Sequence, residues 1–279
     1  MRFAATLLMW LVTTLLLAVA LPAVWTQQHL VDEDGYAALA QKAATDPALQ
    51  SAMASELTTQ VARLGTSVNT GTVSLVAATY TSSSAFPVQF AQANRFAHRW
   101  LFTDRVSSSV DDRGRWVIDV APMLSDAAFQ ETLSDYDVRL PSSIPIPLTD
   151  NAPAVLRPGA LRSVAVFGPW VSVGVAVLTG LFAVFTLFIA HSRGKMLVGL
   201  GVSALLVGAS GWAAIEFGRR RLNTVLDNAS GDIRRIAEVL VGTAENSMHQ
   251  WLNITLVVGG GLVVIGVIVS LLVSLARTG

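Results

Sequence analysis

The side chains best placed by type and spacing to do chemistry are Asn94 and His98. They stand at i and i+4, so a helix carries both on one face. Such a pair can bind a ligand or orient a catalytic base. It can equally be a structural hydrogen bond that holds a helix to a neighbouring loop, and that is the reading adopted here. The other histidines, His29, His191 and His249, are scattered along the chain. No phosphate-cradling GxxxxGK[ST], zinc-binding HExxH or nucleophile-elbow GxSxG occurs. The chain has no cysteine, which removes disulfides, thiolate catalysis and cysteine-based metal sites. No catalytic residue, cofactor site or metal site is therefore expected, and the chain reads as a non-enzyme. Asp111-Asp112 beside Arg113 and Arg115 reads as a solvated turn. Asn253-Ile254-Thr255 has the form of a glycosylation sequon, but it lies at the edge of an apolar run and is discounted.

The elements that must carry these residues are mostly apolar. Of 279 residues, 52% are hydrophobic and 14% charged, against roughly 25% charged in soluble domains. The mean hydropathy is +0.55. Net charge is zero, so no global field points to nucleic acid as a partner. The dominant feature is a double apolar run over 164–217, broken only by His191-Ser192-Arg193-Gly194-Lys195. About 20 apolar residues cross a bilayer core as a helix, and only a backbone that satisfies itself can do so. The run therefore predicts a transmembrane hairpin, with spans at 164–190 and 196–217. Residues 1–26 form another span. Ala18-Val19-Ala20 has the small-x-small form of a signal-peptidase site, but the segment is read as a retained signal anchor. A fourth span covers 251–276 and is closed by Arg277.

Between the first two spans, residues 27–163 hold most of the acidic residues and many serines and threonines, enough chain for one domain. Asp46-Pro47 is a helix start, and Leu49, Met53, Leu57, Val61 and Leu64 follow at helical spacing until Gly65. A short helix is expected over 32–44. Residues 73–80 are ambiguous between helix and strand, and 88–102 read as a helix after Pro87. Arg115 to Val120 alternates and is β-branched, which predicts a strand. A helix is expected over 122–134. Ile144-Pro145-Ile146-Pro147-Leu148 reads as extended, and its prolines suit only an edge strand. The expected fold is thus an α-helical integral membrane protein of four spans, with a small, mostly helical α/β domain inserted between the first and second.

Three segments recur in a familiar order: Ala93-Asn94-Arg95-Phe96-Ala97-His98, then Trp116 to Leu124, then Ile144 to Leu148. Across residues 1–190 the set resembles a family of actinobacterial membrane proteins with an N-terminal anchor, one extracytoplasmic domain and a C-terminal helical bundle. An accessory subunit of mycobacterial Mce lipid-import complexes has the same general look. The resemblance implies a non-enzymatic accessory or scaffolding subunit of a cell-envelope complex in lipid transport. Its partners would be other membrane subunits, a Mce lipid transporter among them, and membrane lipids. The alternative is a stand-alone membrane enzyme or sensor whose domain binds an envelope ligand.

Orientation is contested within the sequence. With the N-terminus inside, Arg2, Arg193, Lys195 and Arg277 are cytoplasmic, while Arg219, Arg220, Arg221, Arg234 and Arg235 lie outside. The positive-inside rule leans slightly against this. Long domains translocate largely regardless of charge, and the signal-like start favours it, so we expect both termini in the cytoplasm and 27–163 outside.

Two further groups carry interaction signals. Gly266, Ser270 and Ser274 recur every fourth residue in the last span, as do Ala204 and Gly208 in the third. Small residues at this spacing allow close helix packing, within the bundle or against a foreign helix. Arg219-Arg220-Arg221 reads as an interface anchor or a lipid-headgroup contact, with Glu216 in reach of the first two. Beyond it, 218–250 is expected to be a helical extension that turns near Ser230-Gly231-Asp232.

Overall fold

The computed structural model describes residues 2–63, 69–103, 108–110, 116–119, 145–147, 158–189, 192–226 and 231–278. The helix expected over 122–134, the Asp111-Asp112 turn and the stop at Gly65 lie outside them. The chain divides into two units.

The first unit comprises 1–27, 169–225 and 245–279. It draws on helix α1 (Arg2–Thr26), helix α6 (Arg162–Ile189), helix α7 (Arg193–Leu226) and helix α8 (Gly231–Thr278). These four are long and apolar enough to cross a membrane. Their outward faces are apolar, as lipid requires: Leu8 on α1, Phe167 and Phe188 on α6, and Val257 and Leu275 on α8 are well exposed. Polar groups turn inward. Thr13 and Thr186, 2% and 1% exposed, approach each other at 3.3 Å between α1 and α6. Thr14 bonds Ser203 at 2.7 Å, and Trp10 donates to the Gly199 carbonyl at 2.8 Å, tying α1 to α7. Each of these hydroxyls is also within bonding distance of a carbonyl one turn back, so none of the four leaves its hydrogen facing hydrocarbon.

The second unit comprises 28–168 and 226–244. After a π-helical turn at Gln27–Val31, helix α2 (Glu33–Ala43) starts at Asp32, whose carboxylate accepts from the Gly35 amide at 2.9 Å. A Cβ on Gly35 would fall 1.7 Å from the Gln28 carbonyl oxygen, so only glycine lets α2 lie against that turn. Helix α3 (Pro47–Arg63) begins as expected, with Asp46 accepting from the Ala48 amide at 2.8 Å. The ambiguous segment is helix α4 (Thr70–Thr81), capped by Asn69 through the Gly71 amide. Helix α5 (Phe86–Phe102) carries its proline in the first turn. Gly159, at φ 67°, then turns the chain so that the Gly159 and Leu161 amides reach the last carbonyls of α5, at Trp100 and Leu101.

The core of this unit is Ala43, Ala44, Leu49 and Phe86, with Met53, Tyr80, Phe90, Ile236, Val239 and Leu240 packed against it. The start of α8 thus completes a core built mainly by α2 to α5. Three short strands form an antiparallel sheet in the order β1 (Ser108–Val110), β2 (Trp116–Asp119), β3 (Pro145–Pro147). Ile118 pairs with Ile146, and the two prolines stand on the edge strand, where missing amide donors are tolerated.

Candidate functional site

The Asn94 and His98 pair sits on α5 against α2 and the π-helical turn. Asn94 donates to the Phe90 carbonyl at 2.8 Å and accepts from Tyr36 at 3.3 Å. His98 is 5% exposed. Its Nε2 donates to the Leu30 carbonyl at 3.2 Å, and its ring stacks on Phe102 at 4.2 Å and leans on Tyr36. The other ring nitrogen, Nδ1, is buried without a hydrogen-bond partner among the described residues. A general base needs one nitrogen open to substrate and an orienting group on the other; here the Leu30 carbonyl orients the ring through Nε2, but Nδ1 is buried and offers no opening to a substrate. The helices are also clamped from outside. Arg95 pairs with Asp34 and, at 3.9 Å, with Glu33, which also meets Arg99 at 3.5 Å. Burial pushes the hydroxyls of Tyr36 and Tyr80 above their ordinary range.

A cleft of about 500 Å3 lies between α3 and α4, with Ser51, Ser55, Thr58, Ser74, Thr81 and Ser82 among its lining. Its hydroxyl hydrogens are largely committed. Thr58 donates to the Ala54 carbonyl and Ser82 to the Ala78 carbonyl, while Ser55 donates to Asp232 at 2.7 Å. Among the described residues no three His, Asp or Glu side chains gather as they would around a metal ion.

In the membrane unit the small residues form a seam between α7 and α8. A Cβ on Gly266 would fall 2.7 Å from the Gly194 carbonyl oxygen, and one on Gly194 would fall 2.3 Å from the Ser270 hydroxyl. Gly259 meets Ala204 and Gly201, and Gly208 meets Leu252 and Leu256. Gly266, Ser270, Ala204 and Gly208 are therefore brought together, inside the bundle. Ser274 is exposed, its hydroxyl turned to the Leu271 carbonyl. The seam also includes Gly194, Gly201 and Gly259, which the four-residue pattern passes over. The signal that finds them is a seven-residue repeat, Gly194-Gly201-Gly208 on α7 against Leu252-Gly259-Gly266 on α8. Such a repeat keeps one face of each helix in register along a left-handed crossing.

Near the end of α7, Glu216 meets Arg219 at 3.5 Å and Arg220 at 3.9 Å. Arg221 belongs to the same helix. Trp212 stacks on His249 at 3.8 Å and donates to Asn253 at 3.2 Å. Asn253, the sequon residue, is thus an exposed side chain that accepts a hydrogen bond from α7.

Four apolar spans, an inward polar set and a close-packed helix seam define an α-helical, multi-pass membrane protein. In comparisons with family models, curated proteins and solved structures, none matches this chain.

Proposed function

We propose that this chain is a non-enzymatic accessory or scaffolding subunit of a larger cell-envelope membrane complex engaged in lipid transport. The observation that carries the reading is the state of Asn94 and His98. The polar pair with the best spacing for chemistry is consumed in fastening α5 to α2 and to the π-helical turn. The hydroxyl-lined cleft follows the same pattern, with Ser55, Thr58 and Ser82 donating to nearby acceptors. A subunit that holds partners in place needs helices fixed against one another within its domain, and both features serve that end.

The resemblance noted from the sequence supplies the finer reading. It connects the chain with actinobacterial envelope proteins and with LucB, an accessory subunit of mycobacterial Mce lipid-import complexes. On that reading the three-stranded sheet and α2 to α5 make one small extracytoplasmic α/β domain, and both termini are cytoplasmic. Its partners are the other membrane subunits of the transporter and the surrounding lipids.

Purification from membranes at native expression tests the proposal. Stable co-purifying subunits in fixed proportion support it. A lone protein that retains a bound envelope ligand in the α3–α4 cleft overturns it in favour of a stand-alone sensor or enzyme.

A further inference from the structure

Helices α1, α7 and α8 border an open groove of about 420 Å3. Val207 and the fully buried Leu252 form its floor, and Leu21, Ile215 and Met248 are among its walls. No lining side chain carries a charge. Ser210, on the rim, spends its hydroxyl hydrogen on the Val207 carbonyl at 3.2 Å. Pro22 has no amide hydrogen to offer the Ala18 carbonyl one turn back.

All three helices are apolar enough to span a membrane, so the medium at the groove is lipid. A water there would need two to four polar partners, which this lining does not supply. An empty groove would forfeit dispersion contacts along its whole wall. A flexible hydrocarbon chain satisfies both conditions, and Met248 adds an adaptable surface for it.

What sets this groove apart from ordinary lipid contact is the charge at one end. Ile215 lines it, and Arg219 follows at i+4 on the same face of α7; Arg220 is next. Their side chains are 56% and 78% exposed, and their pairing with Glu216 is loose, at 3.5 and 3.9 Å. Exposed pairs of that kind contribute little, so a phosphate can take Arg219 over from Glu216. Trp212, which stacks on His249 towards the same end of α7, is a side chain that favours the headgroup level of a bilayer. The groove therefore begins where an acyl chain begins, and the cations stand where a phosphate would.

We propose that this groove is a binding site for an anionic glycerophospholipid, with one acyl chain between α1, α7 and α8 and the phosphate met by Arg219 and Arg220. The inference goes beyond the accessory-subunit reading and does not depend on it, since the isolated full chain suffices to test it.

The full-length protein is reconstituted in nanodiscs of phosphatidylcholine. A trace of phosphatidylglycerol with a photoactivatable group on one acyl chain is added, and adducts are mapped by mass spectrometry. The expected result is an adduct concentrated on peptides containing Leu21, Ile215 or Met248. Excess unlabelled phosphatidylglycerol should compete it away, and excess phosphatidylcholine should not. Ala214→Trp, which fills the rim, should abolish that adduct while the thermal midpoint holds. Ala18→Trp is the second filling variant should Ala214→Trp misfold. Arg219→Gln with Arg220→Gln should weaken the phosphatidylglycerol preference by about fivefold per charge removed. Equal labelling of the exposed α6 face around Phe167 and Phe188 overturns the site. A groove adduct that survives both filling variants overturns it as well. A groove adduct with no headgroup preference, or one unchanged in the arginine variant, overturns the phosphate contact.

Discussion

Gly201 on α7 and Gly259 on α8 face each other so closely that a Cβ on Gly201 would fall 2.6 Å from the Gly259 carbonyl oxygen. The reverse substitution meets the Gly201 carbonyl oxygen at 3.0 Å. The obstacles are backbone atoms, which cannot swing aside as a side-chain tip can. In lipid the hydrophobic effect gives helices no reason to associate, and close approach of backbones must supply the attraction. Gly201→Leu and Gly266→Leu should therefore insert normally yet lose about 1–3 kcal/mol of stability, the usual cost of overpacking. Gly180→Leu on α6, where a Cβ meets nothing within 4 Å, is the control and should be neutral. Thermal unfolding in detergent checks both. Equal midpoints for Gly201→Leu and Gly180→Leu would sink the seam.

The bonds from α1 to α7 make a smaller prediction. Thr14 and Ser203 lie 2.7 Å apart, and each hydroxyl can also bond a carbonyl one turn back. Removing one partner leaves the other satisfied on its own helix. Thr14→Val should therefore cost only about 0.6 kcal/mol, the average for interhelical hydrogen bonds in membranes. Trp10→Phe removes the bond to the Gly199 carbonyl, which still accepts from Ser203 at 3.1 Å, and should cost a similar amount. A double-mutant cycle by thermal unfolding separates the two contacts.

Much of this architecture was legible from particular residues. The uncharged runs marked four helices, because lipid tolerates few exceptions. Asp46-Pro47 marked the start of α3, because a carboxylate cap and a preset φ both act locally. The alternation from Trp116 to Asp119 and the Pro145-Ile146-Pro147 pattern marked strands that pair as Ile118 with Ile146. The residues at 73–80 were not legible, since a short apolar run has no period of its own; the local signal is Asn69, which caps the helix ahead of the run. The seam was half legible. Gly208 and Gly266 stand out at four-residue spacing, yet what aligns α7 with α8 is the seven-residue repeat. That repeat shows only when the two helices are read against each other. Trp10 bonding Gly199 is a contact between distant residues that no local pattern announces.

His98 should behave as a fastener. His98→Ala removes the bond to the Leu30 carbonyl and the stack on Phe102, in a site where the ring is buried. The expected loss is roughly 2–4 kcal/mol, combining a core truncation with an unmet carbonyl. His98→Phe keeps the stack but loses the donor, and should recover part of that stability. Any activity associated with the protein should fall only in proportion to the folded fraction. Loss of a measurable reaction by orders of magnitude in a fully folded variant would make His98 a catalytic residue.

Tyr80 predicts a response to alkali. It donates to Gln89 at 2.6 Å, and burial pushes its hydroxyl above the ordinary value of 10.0. The neutral form is thus favoured in the folded state. Its contribution is whole below pH 10 and is lost as pH rises towards the folded value, because the unfolded chain ionises first. Unfolding midpoints measured from pH 8 to pH 11 should decline above pH 10. Tyr80→Phe should be less stable at neutral pH by about 1–2 kcal/mol for the lost hydrogen bond, with a shallower decline above pH 10. A decline as steep as that of the parent protein would move the alkaline sensitivity elsewhere, with Tyr36 the next group to replace.

The orientation we propose can be read with two cysteines, since the chain supplies none of its own. Ser84, between α4 and α5, is exposed, and Ser192 lies at the start of α7. An odd number of spans separates Ser84 from the N-terminus, and one more span, α6, separates it from Ser192. The two must therefore face opposite sides of the membrane, whichever way the protein inserts. With the N-terminus inside, a membrane-impermeant maleimide should label Ser84→Cys in intact cells and reach Ser192→Cys only after lysis. The charges alone favour the opposite outcome slightly, through Arg219, Arg220, Arg221, Arg234 and Arg235, so the experiment weighs a translocated domain against a charge rule. Labelling of Ser192→Cys but not Ser84→Cys would invert the topology. Labelling of both from outside would mean that α6 does not span the membrane at all.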